Sequence, residues 1–103
     1  MKLPFELMQK DVTLPLGMTE DIRARAEKLD HFYDRIMRCR VTVEGSGPHH
    51  RQGNYRVTID LKVPGTELVV QKRADANLEL ALKGAFDAAG RRLEDHVRRR
   101  RGS

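Results

Sequence analysis

Residues 55–63 alternate without a break: Tyr55, Val57, Ile59, Leu61 and Val63 are apolar, and Arg56, Thr58, Asp60 and Lys62 lie between them. A period of two over that length fits a strand with one face buried and the other wet. Pro64-Gly65 follows at once, a dipeptide suited to a tight turn because proline fixes φ and glycine tolerates positive φ. Residues 66–72 should then return alongside as the second arm of an antiparallel hairpin. A lone hairpin is marginal in water. The rest of the chain must therefore supply more strands and a layer to cover the apolar face.

Residues 38–44 alternate in the same way, with Cys39, Val41 and Val43 on one face and Arg38, Arg40, Thr42 and Glu44 on the other. Residues 2–8 do so more briefly, with Leu3, Phe5 and Leu7 pointing one way, and Pro4 placing this strand at a sheet edge. Between these two strands the period becomes helical: Met18, Ile22, Ala26, Leu29 and Tyr33 form one stripe over residues 18–33. Gly17 or Thr19 would cap that helix, and Glu20 and Asp21 suit the positive end of its dipole. A second helix is expected over residues 77–98, with Leu78, Leu82, Ala85, Phe86, Ala89, Leu93 and Val97 in its stripe and Asn77 or Asp75 as its cap. Residues 45–54, GSGPHHRQGN, read as a polar, glycine-rich loop.

The order is thus β-α-β-β-β-α. A strand, a helix and another strand imply a right-handed crossover between parallel neighbours, while the next two connections are antiparallel. Two amphipathic helices with a single sheet to cover must lie side by side on one of its faces. The expected class is α+β: a four-stranded mixed sheet, helices on one face, the other face carrying Arg38, Arg40, Arg56, Thr58, Asp60 and Lys62.

A chain of 103 residues is sized for one domain and excludes a two-domain enzyme. One cysteine excludes an internal disulfide framework, and no apolar run has the length of a signal peptide or a membrane span. A cytoplasmic protein without membrane contact is expected. The formal charge is +5, and residues 91–103 hold six arginines against Glu94 and Asp95. Charge so concentrated, and so rich in arginine, points to a polyanion. Helical geometry would put Arg100 on the buried stripe, so the last helix is expected to leave the sheet or fray near residue 98. That reading makes residues 1–98 one domain and residues 99–103 a basic, disordered tail.

Catalytic signatures such as GxSxG, GxGxxG, a P-loop or HExxH are absent, and no enzyme activity, cofactor or metal is expected. Cys39 falls on the core face of its strand. His49-His50 with His31 or His96 lacks a recognised ligand spacing. Base stacking on the open sheet face is not expected either, because the aromatics are few and mostly assigned to the core. The cations carry the signal. Arg25 and Lys28 share one flank of the first helix, whereas Arg23 lies across its stripe. On the second, Lys83, Arg91, Arg98 and Arg101 project away from the stripe and Arg92 sits at its edge, with Arg99 beside them. Two packed helices with basic edges make a groove for an RNA backbone. Pairs of Arg91 and Arg98 with Asp87, Glu94 and Asp95 would neutralise only part of that charge.

Three segments carry a resemblance to a known family: residues 25–36 (RAEKLDHFYDRI), residues 57–61 (VTIDL) with Pro64-Gly65, and residues 81–89 (ALKGAFDAA) leading into residues 91–95 (RRLED). In this order they resemble the ribosome hibernation-promoting factor family, also called the ribosome-associated inhibitor or sigma-54 modulation protein family, over nearly the whole chain. The resemblance implies a fold like that of double-stranded RNA-binding domains. It also implies binding to small-subunit rRNA in the channel used by mRNA and tRNA, in competition with both, so that idle ribosomes are silenced and preserved. By the same resemblance Arg25, Lys28 and Arg91 match basic positions that reach rRNA, Arg92 is basic where the family varies, and His31 stands where lysine is common. Glu94 and Asp95 place acid where some members carry a base, and Asn77-Leu78-Glu79 replaces the family's Asp-x-Tyr helix opening. The chain is similar to the short class, expected to be monomeric when free. The resulting RNA-contact set is Arg25, Lys28, His31, Lys83, Arg91, Arg92, Arg98, Arg99 and Arg101. A general double-stranded RNA-binding module and a protein-interaction regulator of transcription stand as the alternatives.

Overall fold

The computed structural model describes residues 3–45, 55–74 and 77–102, of which Ala74, Arg101 and Gly102 only in their backbone. Its elements are β1 (Phe5–Lys10), α1 (Met18–Phe32), β2 (Arg38–Glu44), β3 (Tyr55–Val63), β4 (Thr66–Ala74) and α2 (Leu78–Gly102). The four strands form one sheet in the order β1-β2-β3-β4. β1 and β2 are parallel, and the other two pairs are antiparallel. This is the mixed α+β sheet expected from the alternation, with its parallel pair at the crossover. The loop holding His49 and His50 lies outside the described residues.

The turn closes as its dipeptide requires. Val63 pairs with Thr66, leaving Pro64 and Gly65 as the two central residues. Gly65 has φ +88°, and proline before a positive-φ glycine is the type II arrangement. At the sheet's other end, the β1–α1 connection passes so close to Gly45 that a Cβ there would sit 2.4 Å from the Asp11 carbonyl oxygen. Only glycine fits.

One sheet face and both helices share a single core. Cys39, Val41 and Val43 of β2, Val57, Ile59, Leu61 and Val63 of β3, and Leu68 of β4 are buried. Against them pack Met18, Ile22, Ala26 and Leu29 of α1, and Leu78, Ala81, Leu82, Ala85, Phe86, Ala89 and Leu93 of α2. Ile59 and Leu82, at 0% and 1% exposure, would each cost about 2–5 kcal/mol on truncation to alanine. α2 lies across β3 and β4, and α1 lies beside it near β1. Both helices run the same way, so their N-terminal ends meet around Met18 and Leu82 and their C-terminal ends around Tyr33 and Val97.

Three elements differ from expectation by more than one residue. β1 runs over Phe5–Lys10 rather than residues 2–8: Pro4 supplies only its carbonyl, to Cys39 N at 2.9 Å, and pairing with β2 continues to Glu44. β4 runs on to Ala74, following β3 back to Tyr55. The largest difference is in α2, whose backbone stays helical to Gly102 instead of fraying near residue 98. Arg98 bonds back to Glu94 and Asp95 within that last stretch. Arg100 stays exposed at the end of the stripe, and its guanidinium Nη1 donates to the Pro64 carbonyl at 3.4 Å. A long side chain on the stripe has reached past the core to a turn carbonyl.

Candidate nucleic-acid interface

The α1 flank facing α2 is built from residues one turn apart. Asp21, Arg25 and Lys28 line an open cleft of about 390 Å³, opposite Glu79 and Leu82 of α2. The helix register that buries Ile22, Ala26 and Leu29 leaves these side chains beside the stripe. Gly17, at φ +85°, occupies the N-cap of α1 without a side-chain bond, whereas Asn77 caps α2 by accepting from the Glu79 and Leu80 amides at 2.9 and 3.4 Å. Lys83 is exposed one turn beyond Glu79, on the same side of α2. Arg25 and Lys28 thus border one groove, with Asp21 and Glu79 at its N-terminal end.

The other expected contacts spread around α2. Arg91 is exposed on its outer surface. Arg92 points to the opposite flank, where its Nη1 donates to the Val69 carbonyl of β4 at 3.3 Å. Arg98 is held by Glu94 at 2.8 Å and Asp95 at 3.3 Å. Arg99 is exposed, Arg101 belongs to the last helical turn, and His31 lies near the end of α1 beside a second cleft. Among the described residues, Arg25, Lys28, Lys83, Arg91 and Arg99 make no ion pair. Arg23, on the far flank of α1, stacks over the Phe5 ring at 5.1 Å.

The open sheet face is also rich in cations; three of its arginines are answered by glutamates on other strands, while Lys62 and Arg73 make no ion pair among the described residues. Arg40 Nε bonds Glu6 at 2.9 Å, Arg38 meets Glu67 at 3.5 Å, and Arg56 meets Glu44 at 3.9 Å. Thr58 accepts from Gln71 in the same layer. Partial burial and a hydrogen bond with Glu67 push the Asp60 carboxyl above its ordinary range, opposed by Arg38 and Arg40. Cys39 is fully enclosed, and burial, with the nearby Asp60 charge, pushes its thiol up to about 12. At neutral pH it stays protonated and is no nucleophile. The described residues contain no group of three His, Cys, Asp or Glu arranged to hold a metal, and no helix among them is long and apolar enough to cross a membrane.

One residue escaped the sequence reading. Phe32 is 55% exposed at the end of α1, although most aromatics were assigned to the core. The signal was its neighbour. Two adjacent aromatics on a helix cannot share one stripe, and Tyr33 takes the inward position, its ring edge-on to His96 at 6.0 Å.

By fold and charge this is a two-layer α+β domain with unpaired cations along its helix layer. The sequence model of the sigma 54 modulation protein / S30EA ribosomal protein family matches residues 6–101, and the chain belongs to that family of ribosome-associated proteins. Among solved structures, the Protein Y N-terminal domain of Thermus thermophilus superposes with a TM-score of 0.75 at 17% identity, covering 91% of this chain and 98% of that one. A ribosomal subunit interface protein from Coxiella burnetii superposes with a TM-score of 0.71 at 12% identity, covering 89% and 97%. At these identities the likeness establishes the shared fold. No curated protein sequence matches the chain.

Proposed function

We propose that this protein binds small-subunit rRNA through its helix layer, in the channel that mRNA and tRNA use, and holds idle ribosomes out of translation. The observation that carries this reading is the contrast in pairing: Arg25, Lys28, Lys83 and Arg91 have no acid partner among the described residues, while Arg38, Arg40 and Arg56 on the sheet are matched. An unmatched cation can release counterions from a phosphate backbone without first breaking an internal pair. The groove between the helices would follow the backbone, with Arg25 and Lys28 on its α1 wall and Lys83 exposed on α2. Membership in a ribosome-associated family supports the ribosome as the source of that RNA. The decisive experiment is sedimentation of the protein through a sucrose gradient with purified small subunits, alone and with mRNA and tRNA. Co-migration with the subunit, reduced by mRNA and tRNA together, is expected. Protein remaining at the top of the gradient would refute the proposal.

A further inference from the structure

Phe32 continues the row that begins with Arg25 and Lys28. Residues 25, 28 and 32 follow spacings of three and four, so all lie on the flank of α1 that faces α2. Arg25 and Lys28 line the cleft at the N-terminal ends of the helices. Phe32 lines the second one, about 680 Å³, at their C-terminal ends, with His31, Tyr33, Asp34, Arg35, Val97 and Arg100. A strand tracked along the groove by its phosphates would therefore meet an exposed aromatic ring where the groove ends.

From this row we infer that Phe32 is a stacking platform for one unpaired nucleobase of the bound RNA, seated between its ring and the Val97 wall. The inference rests on the rRNA-binding reading and adds to it the chemistry of one contact. Three observations favour a base over an apolar protein partner. The cleft is mixed rather than apolar, with His31, Arg35 and Arg100 around the ring and Asp34 as an acceptor for base amino groups. Tyr33 is already engaged with His96, so it holds the end of α1 in place and leaves Phe32 presented. The ring also lies one helical turn beyond Lys28, in the row that holds two cations with no acid partner among the described residues. Stacking is sequence-tolerant and works on single-stranded or looped RNA, because every base has a π-face.

The absence of tryptophan from the chain makes the test direct. Phe32→Trp puts a single indole at the proposed platform; Phe32→Leu keeps an apolar side chain without a π-face; Phe32→Ala removes both. The probes are purified small ribosomal subunits and an oligoadenylate of about eight nucleotides, and circular dichroism confirms that each variant is folded. Stacking predicts that Phe32→Trp binds subunits like the wild type, with its emission quenched by subunits and by oligoadenylate. Phe32→Leu and Phe32→Ala should bind about tenfold more weakly, with an unchanged slope of log K against log salt because no phosphate contact is lost. Full affinity in the leucine variant, or an emission that shifts to the blue without quenching, would overturn the inference and indicate burial against protein. If the wild type itself fails to bind subunits, the rRNA reading fails; quenching by oligoadenylate then still decides whether Phe32 stacks on bases.

Discussion

The two surfaces of this domain carry similar side chains and pair them to different extents. On the open sheet face, Arg38 reaches past β3 to Glu67 of β4, while Arg40–Glu6 and Arg56–Glu44 lie directly opposite on neighbouring strands. Cross-strand spacing of about 5 Å makes such pairs easy to form. On the helix layer, Arg25 and Lys28 line a groove bordered by a second helix, and the acids lining it, Asp21 and Glu79, sit at its N-terminal end. The difference teaches that arginine content alone locates nothing. What sets the helix groove apart is that Arg25 and Lys28 line it together with no ion pair among the described residues.

The sharpest way to break this comparison is to reverse two charges on each surface. Arg25→Glu/Lys28→Glu is expected to lower affinity for small subunits by at least about a hundredfold and the salt slope by about two units. Arg38→Glu/Arg40→Glu changes the net charge equally but should cost only a few-fold, through weaker steering. Binding measured across a salt series separates them; equal losses would mean that overall charge, not position, governs binding.

A second test separates packing from contact. Cys39→Ser should destabilise the fold by about 1–3 kcal/mol in urea denaturation, because a hydroxyl replaces a thiol in a closed apolar site. Subunit affinity of the remaining folded protein should stay within twofold. In the wild type, the thiol should resist alkylation until the protein unfolds.

Arg91 and Arg92 sharpen the contrast within one helix. Arg91→Ala should weaken subunit binding about fivefold and reduce the salt slope by nearly one unit, with thermal stability unchanged. Arg92→Ala removes the hydrogen bond to Val69, so it should cost about 0.5–1 kcal/mol of stability and leave the slope unaltered.

The smallest effect expected is on the sheet. Because the folded state raises the Asp60 pKa, it binds more protons there than the unfolded chain does between the two values. This contribution to stability is therefore greatest below the ordinary carboxylate range and is lost as pH rises through the raised value. Asp60→Asn should lift the melting temperature by about a degree or two at pH 7 and flatten its pH dependence between pH 4 and 7, as followed by calorimetry.

Most of the fold was legible because period-two and period-3.6 patterns are direct projections of buried faces. β2, β3 and the buried stripes of both helices are where those patterns place them. The end of α2 was not legible, since the hydrogen bond that occupies Arg100 comes from a turn 36 residues earlier in the chain. The candidate site was legible only on α1. There the register alone puts Arg25 and Lys28 on one flank and Arg23 on the other, where Phe5 holds it. On α2 the register puts Arg91 away from the stripe and Arg92 at its edge, but the bond that occupies Arg92 was not legible, because the carbonyl that engages it belongs to a strand edge.

That bond has a consequence for the protein's behaviour in a crowded solution. β4 pairs with β3 on one side only, and an unpaired strand edge is a template on which another chain can add itself. With Val69 half-exposed beside it, the edge would suit the start of an intermolecular sheet. A guanidinium seated on the Val69 carbonyl takes up one of the acceptors such a sheet would need and puts a charge where an incoming strand would lie. At the opposite edge, Pro4 has no amide hydrogen to offer just before β1 begins. Resistance to fibril growth is thus written into the two margins of the sheet, one by a side chain borrowed from a helix and the other by a missing donor.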